Sequence, residues 1–210
     1  MIRKLWKTLL FTSIVILLPM LVGIILWNQL PEQIPVHWNA AGEVDGWAGK
    51  AFAVFGLSGL MLALHWLCVL GTAADPKKAN HSDKVLHLVL WVTPVLSVVL
   101  FSITYATALG HALPIERILP ALLGLVFAII GNYLPKCKQN YTIGIKIPWT
   151  LNSEENWNRT HRFAGRVFMV CGLMILFTAF FGGFWVFGAV SLVMVLAPII
   201  YSYALHRKGI

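Results

Sequence analysis

Acidic residues are scarce in this chain: eight Asp and Glu stand against sixteen Lys and Arg, for a formal net charge of +8. Charged residues of both signs make up only 11% of it. A soluble domain carries roughly 25%, so a water-soluble globule is excluded. Apolar residues supply 59% of the sequence and the mean hydropathy is +0.78, which describes a helix bundle in lipid. In such a protein the positive excess is read as charge held on the cytoplasmic face, not as a nucleic-acid footprint. Cysteine is also sparse. Cys68 and Cys171 sit in apolar runs, and Cys137 lies between Lys136 and Lys138. No disulfide framework or CxxC metal motif results. HExxH, GxSxG and the P-loop are all missing, so no enzyme class or cofactor is indicated.

What is present is a series of long apolar runs. Arg3, Lys4 and Lys7 precede an uncharged run from Leu9 to Trp27. About 20 apolar residues cross a bilayer, so the run predicts a full span, kinked at Pro19. Further helices are predicted at about 51–74, 85–109 and 117–134. The stretch 167–205 carries no charge and is roughly twice the length a bilayer needs. It must turn back, and Gly182-Gly183 is the expected break, giving helices at about 163–181 and 184–205. The fold class expected is all-α: a polytopic bundle of six transmembrane helices. The chain divides into 1–50 (first helix and loop), 51–130 (helices two to four) and 131–210 (polar segment and helices five and six).

Basic residues orient the bundle. The N-terminus, the loop at 75–84, the stretch at 135–166 and the C-terminus hold fourteen of the sixteen, leaving only Lys50 and Arg117 elsewhere. Both termini are therefore expected in the cytoplasm of a bacterial cell, with 30–50 outside. The 75–84 loop, DPKKANHSDK, is read as a plain basic loop whose lysines set topology. Asp and Glu are absent from the six expected helices, which argues against a transporter built on buried acids. His65 lies deepest and is read as an interhelical hydrogen bonder; His87 and Asn132 lie near helix ends.

Residues 30–50, LPEQIPVHWNAAGEVDGWAGK, form a compact surface loop in this reading. Pro35 forces extended backbone, Gly42 and Gly46 supply turns, and His37, Trp38 and Trp47 suit the headgroup layer. His37, Glu43 and Asp45 are the candidate metal ligands. Without a recognised ligand spacing, the carboxylates are assigned to turns or caps and His37 to a backbone bond.

The longest polar interruption is GNYLPKCKQNYTIGIKIPWTLNSEENWNRTHRFAGR, residues 131–166, with six of the sixteen basic residues. Pro135 ends the fourth helix, and Gly144 and Pro148 keep the following backbone irregular. Asn152 with Glu155 fits an N-cap and N3 acid, with Ser153 a competing cap. Trp157, His161 and Gly165 recur at i, i+4, and Arg159, Arg162 and Arg166 lie on another face. The order of Asn132, Asn140, Thr142, Gly144, Pro148, Trp149 and Thr150 is more specific than lipid anchoring needs. It predicts a folded surface at the helix ends that binds a partner.

This segment resembles the signature of the SdpI family, bacterial membrane proteins of immunity to a secreted toxin. The 30–50 loop resembles an N-terminal domain of unknown function that accompanies it. The resemblance implies a multi-pass protein of the bacterial cell membrane that protects against a secreted peptide toxin. It also implies signalling to a small helix-turn-helix autorepressor. Membrane lipids are further expected partners; direct nucleic-acid binding is not. The alternative is an integral membrane enzyme or lipid-handling protein with a site at the membrane interface.

Overall fold

The computed structural model of the chain describes residues 2–181 and 184–210. The break expected at Gly182-Gly183 lies outside the described residues. Among the described residues, six helices are long and apolar enough to cross a membrane. In chain order the elements are α1 (Ile2–Ile25), β1 (Gln33–Trp38), β2 (Val44–Gly49), α2 (Leu57–Ala73), α3 (Asp83–Ala108), α4 (Ile115–Tyr133), α5 (Pro148–Asn152), α6 (Glu154–Phe181) and α7 (Phe184–Arg207). A π-helical turn, Phe52–Gly56, leads into α2, and a 3-10 turn, Leu134–Lys136, extends α4. The short α5 was not expected. Helix α6 begins nine residues earlier than the apolar pattern suggested, because its first turns are polar. Asp83, Glu116, Glu154 and Glu155 accordingly fall in first helical turns, where the helix dipole favours acids.

The chain clusters into two compact units: Met1–Ala73 with Leu86–Ile115, and Ala74–Val85 with Glu116–Ile210. In the first, α1 is held by polar bonds to its neighbours. Thr12 Oγ lies 3.1 Å from His65 Nε2, both buried, so His65 does bond between helices. Ser97 Oγ donates to Ile16 O and Tyr105 Oη to Pro19 O, around the proline of α1. These bonds tie the proline-bearing stretch of α1 to α3. His87 is exposed.

Residues 30–50, expected as a compact surface loop, contain two strands. Strands β1 and β2 form an antiparallel hairpin, with Ile34 opposite Ala48, Pro35 opposite Trp47 and His37 opposite Gly46. The Asn39 side chain closes the turn by accepting from the Ala41 and Glu43 N–H groups, and Gly42 supplies a φ of 81°. Gly46 is required by its partner: a Cβ there would meet His37 Cβ at 2.7 Å. Buried Ile34 joins Leu30, Val54, Phe101 and Tyr105 in one apolar cluster, which seats the hairpin on its unit. Lys50 locks the base. Its ammonium donates to Trp27 O and Leu30 O at 3.3 and 3.1 Å and pairs with Glu32 at 2.8 Å. A lysine outside the main basic set thus satisfies the carbonyls that follow α1.

In the second unit, α4 and α6 meet backbone to backbone. A Cβ on Gly131 would lie 2.6 Å from Met169 N and 2.7 Å from Gly165 O. One on Gly124 would lie 2.7 Å from Gly172 O. Two glycine pairs, seven residues apart on each helix, make a seam that only bare backbone fits. Small residues serve this purpose in lipid, where no hydrophobic force drives helices together.

Candidate functional site

The polar segment folds into an ordered cap on the second unit, and its own side chains build it. Asn140 is buried and uses every valence it has. Its amide donates to Lys138 O and Ile143 O at 2.8 and 2.9 Å, while its oxygen accepts from Thr142 N and Ile143 N at 2.9 and 2.6 Å. That pattern replaces a missing secondary-structure ladder. Thr150 Oγ donates to Ile145 O at 2.7 Å and accepts from Ile147 N at 3.1 Å, fixing the approach to α5. Pro148 begins α5 with its ring exposed, and Trp149 packs on Tyr203 and stacks over His206 of α7.

Trp157 is wholly buried, and its indole N–H donates to Cys137 O at 2.7 Å. His161 stacks on it at 4.0 Å between ring centroids. Ile145 N–H points at His161 Nε2, 3.0 Å away, so that nitrogen must be the acceptor. The ring proton therefore sits on Nδ1 and donates to Trp157 O at 2.9 Å. Gly144 passes above this ring with φ +123°, and a Cβ there would meet Nε2 at 2.5 Å. Only glycine fits both the conformation and the space. Burial pushes the Cys137 thiol up to about 11, so it is an inert packing group. Ser153, not Asn152, caps α6: its hydroxyl accepts from Asn156 N at 3.1 Å.

The 75–84 loop is more than a basic linker. Asp75 and His81 bury their side chains to 0% and 1% exposure. Asp75 Oδ2 accepts from Tyr141 N at 2.9 Å and Thr142 Oγ at 2.8 Å; Oδ1 accepts from Lys77 N at 2.7 Å. His81 Nε2 lies 3.3 Å from the same carboxylate. Burial alone would raise the Asp75 carboxyl. The Thr142 hydroxyl, the Lys77 and Tyr141 N–H groups and His81 outweigh it and leave the group below the ordinary Asp range. Lys77 Nζ donates to Gln139 Oε1 and lies over the Tyr141 ring, and Asn80 donates to Gln139 O at 2.7 Å. Gln139 in turn donates to Thr150 O and Leu151 O. One of the two acids in this basic loop, Asp75, thus clasps the cap from 66 residues away in sequence. The lysines divide: Lys77 is part of the clasp, while Lys78 is exposed.

The expected site residues therefore separate by role. Asn140, Thr150, Trp157 and His161 are interior and shape the cap; Thr142, Gly144 and Trp149 are half-buried. Asn132, Pro135, Arg159, Arg162 and Arg166 are exposed. Asp75, Lys77, Asn80, His81 and Gln139 were missed. So was Asn156, which accepts from the Ser202 and Thr160 hydroxyls at 2.6 and 3.0 Å. A polar residue inside an apolar chain was the available signal.

On the hairpin, His37 Nδ1 lies 2.5 Å from Asp45, so its partner is a carboxylate and not backbone. Glu43 turns away to accept from the Asn39 amide at 3.1 Å. The three candidate ligands do not converge, and no group of three metal-ligating side chains occurs among the described residues.

Comparison with known proteins bears on both elements. Residues 136–202 match the SdpI/YfhL protein family, and residues 14–62 match a domain of unknown function (DUF1648). The chain is 29% identical to "Immunity protein SdpI" of Bacillus subtilis (strain 168) over 201 residues, 96% of this chain and 95% of that one. The chain is thus similar to the SdpI family over residues 136–202 and to an immunity protein of that name over nearly its whole length. It is a multi-pass bacterial membrane protein, and the family match begins at the cap and runs on through α6 into α7. No solved structure matches it.

Proposed function

We propose that this protein is an immunity protein of the bacterial cell membrane that protects its cell from a secreted antibacterial toxin. The observation that carries the reading is the similarity to an immunity protein over almost the whole of both chains. The hairpin faces the cell exterior and meets the toxin, presenting Trp47, which is 58% exposed. The cap faces the cytoplasm and presents Tyr141, Lys146 and Pro148 around an interior locked by Asn140, Trp157 and His161. A small helix-turn-helix repressor is the partner assigned to that surface. An interior held by the Asn140, Thr150 and His161 hydrogen bonds suits a docking surface, because it fixes exposed groups in place before binding.

The test is survival. A toxin-sensitive bacterium expressing this chain should outlive its empty-vector control when exposed to the membrane-active peptides that the chain's own host secretes. Equal killing across all of those peptides, at verified membrane levels, would refute the protective role. For signalling, Tyr141→Ala with Lys146→Ala should abolish toxin-dependent reporter induction while leaving survival intact. Unchanged induction would remove the cap surface from the pathway.

A further inference from the structure

Helix α6 is too long for the bilayer, and its arginines fall at a telling depth. Its 28 residues span about 42 Å against a hydrocarbon core of about 30 Å. Measured back from Phe181, about 20 residues of core reach Arg162. The register against α7 agrees. Cys171 and Ile175 pack with Val190 and Met194, and Phe163 stacks on Tyr201 at 4.4 Å, so the two helices run antiparallel. Arg166 is three residues inward of Phe163, while Arg207 is six residues outward of Tyr201. The Arg166 Cα thus lies about 13 Å deeper than that of Arg207.

The three arginines differ in how their charge is met. Arg159 pairs with Glu155 at 2.6 Å. Arg162 spends only its Nε, on Asn158 O at 3.3 Å. Arg166 has no ion pair or hydrogen bond among the described residues and is exposed. An arginine at this depth is costly unless an anion reaches it. Arg162 and Arg166 also head a continuous exposed stripe. Val170, Leu173 and Phe177, 57%, 53% and 65% exposed, follow on the same helix face. With Met174 and Thr178 they line a shallow apolar groove of about 350 Å³. Cationic forks therefore sit above an apolar trough on one side of one helix.

We propose that this face is a binding seat for one anionic phospholipid. Its phosphate engages the Arg162 and Arg166 guanidinium groups, and an acyl chain lies along Val170, Leu173, Met174 and Phe177. A cytosolic macromolecule is the wrong occupant, since the stripe faces the bilayer. The seat is independent of any toxin or repressor.

The full chain, purified in mild detergent, is titrated with phosphatidylglycerol, phosphatidylcholine or inorganic phosphate, and bound lipid is counted by native mass spectrometry. Wild type should retain phosphatidylglycerol over phosphatidylcholine. Arg162→Gln with Arg166→Gln should weaken that retention about tenfold or more, since each basic group near a membrane surface contributes to anionic-lipid binding. Arg159→Gln should leave it unchanged. Equal retention of the two lipids, equal retention by the double variant, or saturation by inorganic phosphate alone would overturn the seat. So would a dimer that buries the stripe with no lipid bound. If the double variant fails to fold, wild type is labelled with a photoactivatable phosphatidylglycerol. Adducts within 166–178 support the seat, and adducts only elsewhere refute it.

Discussion

Asp75→Asn is the sharpest test of how the cap is held. The substitution keeps size and shape but converts one acceptor oxygen to a donor. Asp75 Oδ2 serves Tyr141 N–H and the Thr142 hydroxyl, and Oδ1 serves Lys77 N–H. An amide cannot serve both sides. With its oxygen toward Lys77, its NH₂ faces Tyr141 N–H, donor against donor. With its oxygen toward Tyr141, Lys77 N–H is stranded instead. Thr142 can reverse and accept, so it limits the damage. One orphaned donor and the loss of charge assistance together cost about 2–3 kcal/mol. For a chain of this size that lowers a thermal midpoint by about 4–12 °C, if the clasp melts with the rest.

Two assays read this. Thermal unfolding in detergent gives the midpoint. Limited trypsin digestion reports local release, since Lys138 and Lys146 are exposed but sit on backbone that the clasp holds. The variant should be cut faster at both lysines while α1 remains intact. Acid provides a second readout. Because the folded Asp75 pKa is depressed, its contribution is fully present above the unfolded value, about 3.9, and fades as pH falls through the folded value. Wild-type cap protection should therefore weaken below about pH 4, and the Asn variant should lack that component. An Asn variant with wild-type midpoint and wild-type trypsin resistance would refute the clasp.

Three further outcomes follow from the same geometry. Gly131→Val should cost about 1–3 kcal/mol by overpacking, because the atoms it meets are backbone of α6 and cannot rotate away; an unchanged melting midpoint would contradict the seam. His161→Phe should keep the stack on Trp157 but orphan Ile145 N–H, lowering stability by about 1–3 kcal/mol, and amide exchange at Ile145 should rise sharply; continued protection there would dismiss the His161 tautomer. Reporter fusions after Lys78, Asn140 and Lys208 should read cytoplasmic and one at Gly42 exterior, and an exterior signal at Asn140 would reverse the orientation.

Hydropathy alone located the six spans, because a bilayer imposes length and apolarity on any helix that crosses it. The hairpin escaped for an equally physical reason. QIPVHW sets Ile34, Val36 and Trp38 against Gln33, Pro35 and His37, and β2 alternates in burial, but Pro35 inside one run and Gly46 and Gly49 inside the other demote both as strands. Proline and glycine there read as turns when they were register devices. The glycine seam was visible as Gly124, Gly131, Gly165 and Gly172 but has meaning only once two helices are known to touch. Asp75 illustrates the deepest limit. One acid among lysines reads as solvated, and nothing local says that its partners lie 66 and 67 residues on.

That limit also changes how the signature should be interpreted. Residue order in 131–166 pointed to a folded surface, and the structure has one. The most distinctive residues, Asn140, Gly144, Trp157 and His161, are spent on making it and not on display. Substituting any of them weakens the cap itself, whatever the cap binds. Arg162 and Arg166 look like part of the same surface in sequence, yet they are exposed at the head of an apolar stripe on α6, the face proposed to seat a lipid. Loss of function at Arg162 would therefore not by itself locate a partner. Arg162→Lys separates the cases, because a lysine keeps the charge but loses the planar fork. If lipid phosphate is the contact, lysine should restore most phosphatidylglycerol retention and survival together. Restored lipid retention with lost signalling would place a protein contact at Arg162, and the cap surface would then extend onto the face of α6.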